Sequence, residues 1–548
     1  MSDEKKEVEQ PIAVELAKKQ RDIGVAEFFA RNRHLLGFDN KRKALMTTIK
    51  EAVDNSLDAC EEAGILPEVV IEVIDMQNER FKVIIEDNGP GIVKKQIPLI
   101  FARLLYGSKF FKLSQSRGQQ GIGISAAVLY GQLTTGRAAK IISKIDPKHP
   151  AHYYELHINT QENRPEIIKE EQREWQKDHG TRIEIDLEGS YQAGSQSIDE
   201  YLKQTAIVNP HVTIIYTNPK AEQIIFARAT DQNPKKPVEI KPHPYGIELG
   251  VLQNMLKQTE NRTLQAFLTQ EFSRVGPGTA KEICENAALL PNTKPKDMSR
   301  EMIEKLVEGI KKTKIIAPPA DCISPIGEDL LEKGLRKEIN AEFYCSTTRP
   351  PSVYRGNPFI VEAGLAYGGQ QPMEEPSRLL RYANRVPLLY QQGACAVTKS
   401  VISTAWKNYG INQSKGAFPI GPLTIVVSIN SVWVPFTSES KEAIAHYPEI
   451  IKEIKLALQE CGRRLQIHVH KKNQVQHQLE RANLFERYIP EVADSLSRLT
   501  GDNKEKILKK LQEMIKTEEI QKEIMEMEEL KGEVDKDTKL AEKTEEDE

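Results

Sequence analysis

The stretch SRGQQGIGISAAVLYG, residues 116–131, decides how the rest of this sequence is interpreted. Its glycines at 118, 121 and 123 stand directly before a run with helical periodicity. Glycines that precede a helix N-terminus let backbone N–H groups and the helix dipole face an anion, so the stretch is typical of a phosphate-binding loop. The spacing matches neither GxGxxG nor GxxxxGKS, however, and GxxGxG alone is a weak signal.

A helical segment upstream, TTIKEAVDNSLDA at 47–59, carries a carboxylate and an amide on one face. Glu51 and Asn55 are four residues apart, and Asp58 lies one further turn along the same face. Taken alone, this pattern is better explained as the solvated face of an ordinary amphipathic helix.

The end of one predicted strand and the start of another complete the pattern. In IIEDNGPGI (84–92), Asp87 ends an apolar strand before a glycine-containing turn, which can point a carboxylate into a cavity while the backbone passes close to a ligand. In DHGTRIEI (178–185), Gly180 and Thr181 precede another strand. Plain turns explain each of these segments when it is considered alone.

Composition limits the class of protein. The 548 residues carry a net charge of -3, so any nucleic-acid contact must come from local patches. The six cysteines include no CxxC pair, which argues against zinc and a disulfide framework. No apolar run approaches the ~18 residues that a membrane span needs, and the charged N-terminus has no signal-peptide pattern.

Pattern changes along the chain predict an α+β multidomain protein. Residues 26–38 and 44–64 have helical periodicity, and 69–76 and 80–87 alternate like adjacent strands. Proline-rich breaks then separate an all-helical region from a second α/β region. This region ends in a long helical pattern that runs from about 440 to 470 and continues in shorter pieces to about 516. The predicted units are an N-terminal arm (1–26), a first α/β domain (27–228), a helical domain (229–312), a second α/β domain (313–500) and a charged, partly disordered tail (501–548).

The order of the four motifs resembles that of the GHKL ATPase family, which includes gyrase-type topoisomerases, Hsp90, MutL and histidine kinases. The motifs are ExxxN, DNGxGI, the glycine loop and Gly-Thr. The resemblance implies a Bergerat α/β sandwich with the glycine loop as a lid over ATP. It implies that Glu51 is the general base for the attacking water, that Asn55 binds Mg²⁺, and that Asp87 accepts a hydrogen bond from adenine, near Thr181. The other implied nucleotide contacts are Ser108, Lys109, Gly118, Gln119, Gln120, Gly121, Ile122, Gly123, Ile124 and Ser125.

Within that family, several segments of the sequence are similar to those of the B subunits of archaeal type IIB DNA topoisomerases (topoisomerase VI). The similar segments include KPHPYG (241–246), RPPSVYRGNPFIVEAGLAYGG (349–369) and LRYANRVPLLY (380–390). The resemblance implies a helix-two-turn-helix domain in the middle and a transducer domain after it. It also implies that Lys441, at the start of the long helix, reaches the γ-phosphate of ATP and takes part in hydrolysis.

The same resemblance implies partners and a location. ATP binding would dimerise the chain, and an A subunit in an A2B2 heterotetramer would cut the double-stranded DNA. The location implied is the cytoplasm, at the nucleoid. A chaperone or mismatch-repair clamp ATPase is the alternative.

Two further segments have ordinary explanations. Arg274 and Lys281 could meet DNA phosphates, but a packed helical insert explains their segment at least as well. His468, His470 and His477 are better explained by a solvated, mildly basic helix than by a metal site.

Overall fold

The computed structural model describes Leu16, Gln20 and residues 22–109, 112–118, 121–194, 196–438 and 440–515. Within these ranges, no helix combines the length and the apolar character needed to cross a membrane.

The first α/β region is built on an eight-stranded sheet with the order β5-β4-β3-β6-β2-β1-β7-β8. The two strands predicted from alternation, β1 and β2, pair antiparallel, whereas β1 and β7 pair parallel. Alternating buried residues on these strands form one face of the core. The strands are β1 (Glu68–Asp75), β2 (Arg80–Asp87), β3 (Ala139–Lys144), β4 (Ala151–Asn159), β5 (Arg164–Arg173), β6 (Gly180–Glu188), β7 (Thr213–Thr217) and β8 (Gln223–Phe226).

Helices cover this sheet and bury its apolar face in one cluster. They are α1 (Val25–Arg31), α2 (Lys41–Ala63), α3 (Ile97–Ala102), α4 (Gly123–Thr135) and α5 (Ile198–Val208). The predicted helix over 26–38 is wrong in its second half. The α-helix ends at Arg31, and a 3-10 turn, Arg33–Leu36, leads to left-handed Gly37.

The middle region is all-helical, as the sequence pattern predicts. Its four helices enclose their own apolar cluster, which includes Phe267, Ile283 and Leu306. They are α6 (Leu249–Gln258), α7 (Leu264–Glu271), α8 (Pro277–Asn286) and α9 (Arg300–Lys312).

The second α/β region contains a six-stranded sheet in which β11 and β16 are central and β12 runs parallel to β16. Every residue of β16 is buried, as expected for a strand covered on both faces. The elements are α10 (Glu328–Glu338), β9 (Phe343–Thr348), β10 (Ser352–Tyr354), β11 (Asn357–Tyr367), β12 (Arg378–Ala383), β13 (Val386–Pro387), α11 (Ala396–Ser403), the hairpin β14 (Asn412–Gln413) and β15 (Pro419–Ile420), and β16 (Leu423–Ser431).

Two helices follow this sheet. The 53-residue α12 (Pro448–Thr500) packs its first turns on the sheet, and α13 (Lys504–Ile515) follows Gly501. The predicted start near 440 is wrong because a bridge between Phe436 and Ile444 keeps that stretch out of a helix. The predicted division into shorter pieces is wrong as far as Thr500, since α12 continues through Pro490, but α13 is a shorter piece that ends near the predicted 516. The predicted tail therefore begins with a helix, and its remainder, 516–548, lies outside the described residues, as does most of the predicted arm.

The two α/β regions are joined by a shared apolar cluster. Ile207, at the end of α5, packs with Leu331 and Leu335 of α10. Gly334 faces the Ile207 carbonyl so closely that an added Cβ would overlap it. The close approach places loops of the second sheet beside the first domain.

Candidate functional site

The four sequence motifs meet in one cavity of about 710 Å³ beside the first sheet. Its wall also includes segments from the second α/β region, at 387–390 and 440–442. The predicted residues that line it are Glu51, Asn55, Asp87, Ser108, Lys109, Gly118, Gly121, Ile122, Gly123, Ile124, Thr181 and Lys441. Ser125 is buried behind the cavity, and its hydroxyl donates to the Ile122 carbonyl at 2.9 Å. Gln119 and Gln120 lie outside the described residues.

Helix α2 carries the carboxylate and the amide. Asn40 caps its start by accepting a hydrogen bond from the Lys43 N–H at 2.9 Å, and left-handed Gly64 ends it. The helix buries its apolar side against the sheet, which turns Glu51 and Asn55 toward the cavity. The predicted helical spacing of this pair is confirmed.

Glu51 sits among cations. Lys50 Nζ lies 3.2 Å from Glu51 Oε1 and 3.4 Å from Asp54 Oδ2. Burial disfavours the charged form of Glu51, but the ammonium groups of Lys50 and Lys441 outweigh burial and lower its pKa. Glu51 is therefore an ionised carboxylate at neutral pH, in position to accept a proton.

Lys441 reaches this cavity from a loop. Its backbone has a φ of 53°, and its Nζ lies 3.5 Å from the Arg117 carbonyl oxygen. Its predicted place at a helix start is wrong, because α12 begins seven residues later at Pro448. Burial lowers the pKa of Lys441, while Glu51 opposes that shift.

Asp87, at the end of β2, is held by three donors. Its carboxylate accepts hydrogen bonds from the Ser56 hydroxyl at 2.9 Å, the Gly89 N–H at 2.9 Å and the Thr181 N–H at 3.1 Å. Asp87 and Thr181 are direct partners in the β2–β6 register. Burial raises the Asp87 pKa, and these hydrogen bonds oppose the rise. The carboxylate is thus fixed in orientation at one end of the cavity.

The lid segment comprises the described residues 112–118 and 121–125 and ends in the first turn of α4. Gly121 has a φ of 56°, a conformation that glycine adopts without strain. An ideal Cβ at Gly123 would overlap the Glu51 carboxylate. The glycines therefore let this backbone pass directly over the polar face of α2.

Comparison with known proteins gives the family. Residues 40–189 match the family described as histidine kinase-, DNA gyrase B- and HSP90-like ATPase, and residues 318–481 match the family described as topoisomerase VI B subunit, transducer. The chain is 53% identical over 487 residues to the B subunit of type 2 DNA topoisomerase 6 from Methanosarcina mazei, and the match covers 89% of this chain and 78% of that protein. The chain belongs to the family of type 2 DNA topoisomerase 6 B subunits.

Other members of the family have a similar extent. The B subunit from Archaeoglobus fulgidus is 50% identical across 84% of this chain and 76% of its own length, and that from Thermococcus kodakarensis is 39% identical across 90% and 94%. Membership confirms the predicted GHKL ATPase and transducer domains and decides against the chaperone and mismatch-repair alternatives. The cavity-lining segments at 387–390 and 440–442 lie within the residues that match the transducer family.

Several residues of this topoisomerase-family site do not stand out in the sequence patterns. Lys50 precedes Glu51 directly and so is hidden on the same helix. Arg117 stands inside the lid segment, yet it is buried and pairs with Asp58 at 2.9 Å and Glu61 at 2.7 Å. The positive charge of Arg117, directly beside the first glycine of the loop, was the sequence feature that could have marked it as part of the site.

Lys109 and His468 have local partners, whereas His470 and His477 are exposed. Lys109 pairs with Asp58, one turn beyond Asn55 on α2, at the edge of the cavity. His468 stacks on Phe343 with ring centroids 4.8 Å apart, so it packs against the transducer sheet and is not solvated as predicted. Across the described ranges, no group of three or more His, Cys, Asp or Glu side chains could hold a metal.

Proposed function

We propose that this chain binds and hydrolyses ATP in the cavity as the ATPase subunit of a type IIB DNA topoisomerase. The observation that carries the proposal is the convergence of Glu51, Asn55, Asp87, the lid glycines and Lys441 on one cavity.

The two ends of the cavity suit the two ends of the nucleotide. Asp87, with three fixed donors around it, offers an oriented acceptor for the amino group of adenine beside Thr181. The glycines before α4 offer backbone N–H groups and a helix N-terminus to phosphates.

Glu51 is the proposed general base. Phosphoryl transfer to water depends mainly on a positioned nucleophile and on neutralised charge. Glu51 is ionised and faces the cavity, so it can orient the water and accept its proton. Lys441 offers a positive charge from the transducer side.

The chemistry of the residues fits a hydrated magnesium ion. Asn55 presents an exposed amide to the cavity, and a Cβ at Gly118 would stand 3.6 Å from its Oδ1, so the lid backbone passes close by. Mg²⁺ is commonly bound by one or two protein oxygens together with substrate phosphates and water. Asn55 would hold the ion, which when bound neutralises phosphate charge.

Through Lys441, a bound nucleotide would also contact the transducer. ATP contacted by the lid and by Lys441 would bridge the ATPase domain and the transducer, and hydrolysis would release that bridge. We propose that ATP binding also dimerises the chain, so that a clamp closes on double-stranded DNA. The relatives are named as B subunits, so we assign DNA cleavage to a separate A subunit in an A2B2 complex.

The base assignment is tested with Glu51→Gln, and Glu62→Gln on the exposed side of the same helix is the control. Glu51→Gln should abolish phosphate release while a non-hydrolysable ATP analogue still binds, because the amide keeps the shape but cannot take a proton. Hydrolysis by Glu51→Gln at the wild-type rate would overturn the assignment.

The bridge is tested with Lys441→Ala against Lys415→Ala, an exposed lysine of the transducer. Lys441→Ala should slow hydrolysis about 100- to 1,000-fold, the range for loss of one charge-stabilising group. A rate equal to that of the control variant would remove Lys441 from the site.

The assignment of DNA cleavage to a separate A subunit is tested by assaying relaxation of supercoiled DNA. ATP-dependent relaxation is expected only when a candidate A subunit is added to the chain. Relaxation by the chain alone would contradict the assignment of cleavage to a separate subunit.

A further inference from the structure

The side of the lid segment that faces away from the cavity is fastened to the transducer at several consecutive residues. Gln115 donates from its side chain to the Ser324 carbonyl at 3.1 Å and accepts from the Ser324 N–H at 2.8 Å. The Ser116 carbonyl accepts a hydrogen bond from the Asn384 side chain at 3.1 Å. These contacts are separate from that of Lys441, which reaches the Arg117 carbonyl.

Asn384 and Arg385 form the turn between β12 and β13, and both are left-handed, with φ of 50° and 64°. A left-handed conformation is uncommon outside glycine and is tolerated better by Asn than by Arg. The Asn384 amide donates to the lid with its nitrogen and accepts from the Ser431 N–H with its oxygen at 2.9 Å. One side chain thus ties the lid to the end of the central strand β16.

Arg385 meets the lid through a shared carboxylate. Glu61 of α2 accepts from Arg385 at 2.7 Å and from Arg117 of the lid at 2.7 Å and 3.1 Å. Asn209 connects the same two arginines, since its oxygen accepts from Arg117 at 2.6 Å and its nitrogen donates to the Arg385 carbonyl at 3.3 Å.

Both arginines are buried beside a small polar cavity, with Arg117 6% and Arg385 5% exposed. Withdrawal of the lid would take Arg117 out of the cluster, whereas Arg385 would keep its contacts with Glu61 and Asn209. Breaking the buried pairs of Arg117 with Asp58 and Glu61 is costly, so these pairs favour the lid position in which the Ser116 carbonyl meets Asn384.

We propose that the Asn384–Arg385 turn is a second, Lys441-independent contact through which the transducer holds the lid closed and responds to its release. The inference rests on the proposed ATPase function and extends it to regulation of the same site. Asn384 and Arg385 act as positioning residues, because they line the back of the lid and not the cavity.

The test uses three variants of the full chain. Asn384→Gly keeps the left-handed turn and removes both side-chain hydrogen bonds, whereas Asn384→Asp keeps an acceptor for the Ser431 N–H and loses the donor to the lid. Asn78→Gly, at an exposed left-handed position in the β1–β2 turn, is the matched control.

The readouts separate positioning from folding. Hydrogen exchange of the lid is measured with a non-hydrolysable ATP analogue bound, and kcat and KM are measured for ATP. Both Asn384 variants should bind the analogue within about threefold of wild type. Their lid amides should exchange about tenfold faster and their kcat should fall by about tenfold, the scale of one lost buried hydrogen bond. Asn78→Gly should match wild type in both readouts.

A double variant tests independence from Lys441. The kcat losses of Asn384→Gly and Lys441→Ala should multiply if the two contacts act separately. A double variant no slower than Lys441→Ala alone would overturn the proposal, as would wild-type kcat and lid exchange in both Asn384 variants. Failure of the proposed function is distinguishable, because then the wild type would not hydrolyse ATP or Glu51→Gln would still do so.

Discussion

Replacing Gly123 with alanine should suppress ATP hydrolysis without destabilising the protein. Gly123 is the first residue of α4, and a Cβ there would overlap the Glu51 carboxylate. Its φ is not positive, so alanine fits the backbone, and alanine is favoured over glycine in helices by up to about 1 kcal/mol. A loss of rate would therefore come from displacement of the carboxylate and not from a strained backbone.

The expected magnitude follows from the size of that displacement. The carboxylate must move by more than about 1 Å to restore an ordinary carbon contact of about 3.5 Å. A misplacement of about 1 Å can cost about 100-fold in rate, and a general base contributes about 10²- to 10⁴-fold. We expect kcat of Gly123→Ala to fall by about 100- to 10,000-fold, or about 2.7–5.4 kcal/mol in the activation barrier.

The assay is phosphate release at saturating ATP, accompanied by thermal unfolding of each variant. Gly278→Ala is the matched control, because Gly278 is the second residue of α8 and a Cβ there meets nothing within 4 Å. The control should keep the wild-type rate and a melting temperature at least as high. A Gly123→Ala variant that hydrolyses ATP within about threefold of wild type would refute the steric link between the lid and the base.

Three other changes test separate parts of the site and its support. Lys50→Met should raise the Glu51 pKa. Because the proposed base must be ionised, hydrolysis by this variant should begin to fall at a higher pH than hydrolysis by the wild type when the solution is acidified. A pH–rate profile identical to that of wild type would contradict this. Asp87→Asn should weaken ADP binding in calorimetry by at least about tenfold, because the amide presents a donor to fixed donors; unchanged affinity would remove the residue from adenine recognition. Gly334→Ala should lower the free energy of unfolding in urea by about 1–3 kcal/mol through overlap with the Ile207 carbonyl. An unchanged midpoint of the urea unfolding curve would show that the packing between Gly334 and Ile207 adjusts without cost.

Local periodicity was sufficient to predict the elements that hold the site. The amphipathic pattern of α2 and the alternation of β1 and β2 are properties of short segments, so the helix and the strand pair could be predicted without knowledge of the fold. The long helix was less predictable. Proline at 490 usually ends a helix, but α12 continues through it, and its start is set by a bridge that no local pattern indicates.

The second wall of the site could not be predicted from local pattern. Arg117 and Arg385 are far apart in sequence, and only the fold brings them to Glu61. The Asn-Arg pair at 384–385 is an ordinary turn sequence, and its contact with the lid depends on how the two sheets are joined. Position within tertiary structure, not residue type, gives these residues their role.

The glycines at 89, 123 and 180 lie close to the acidic residues of the motifs. Gly123 faces Glu51, and Gly180, with a φ of 138°, faces the Asp87 carbonyl so closely that a Cβ at either position would overlap its neighbour. Gly89 approaches the Asp87 carboxylate, where a Cβ would stand 3.0 Å from Oδ1. The spacing of the glycine motifs and the position of the acids therefore constrain each other, because each of these three glycines leaves room for a carboxylate or for the strand that carries it. This mutual constraint explains why the motifs are informative together although each one alone resembles an ordinary turn or helix.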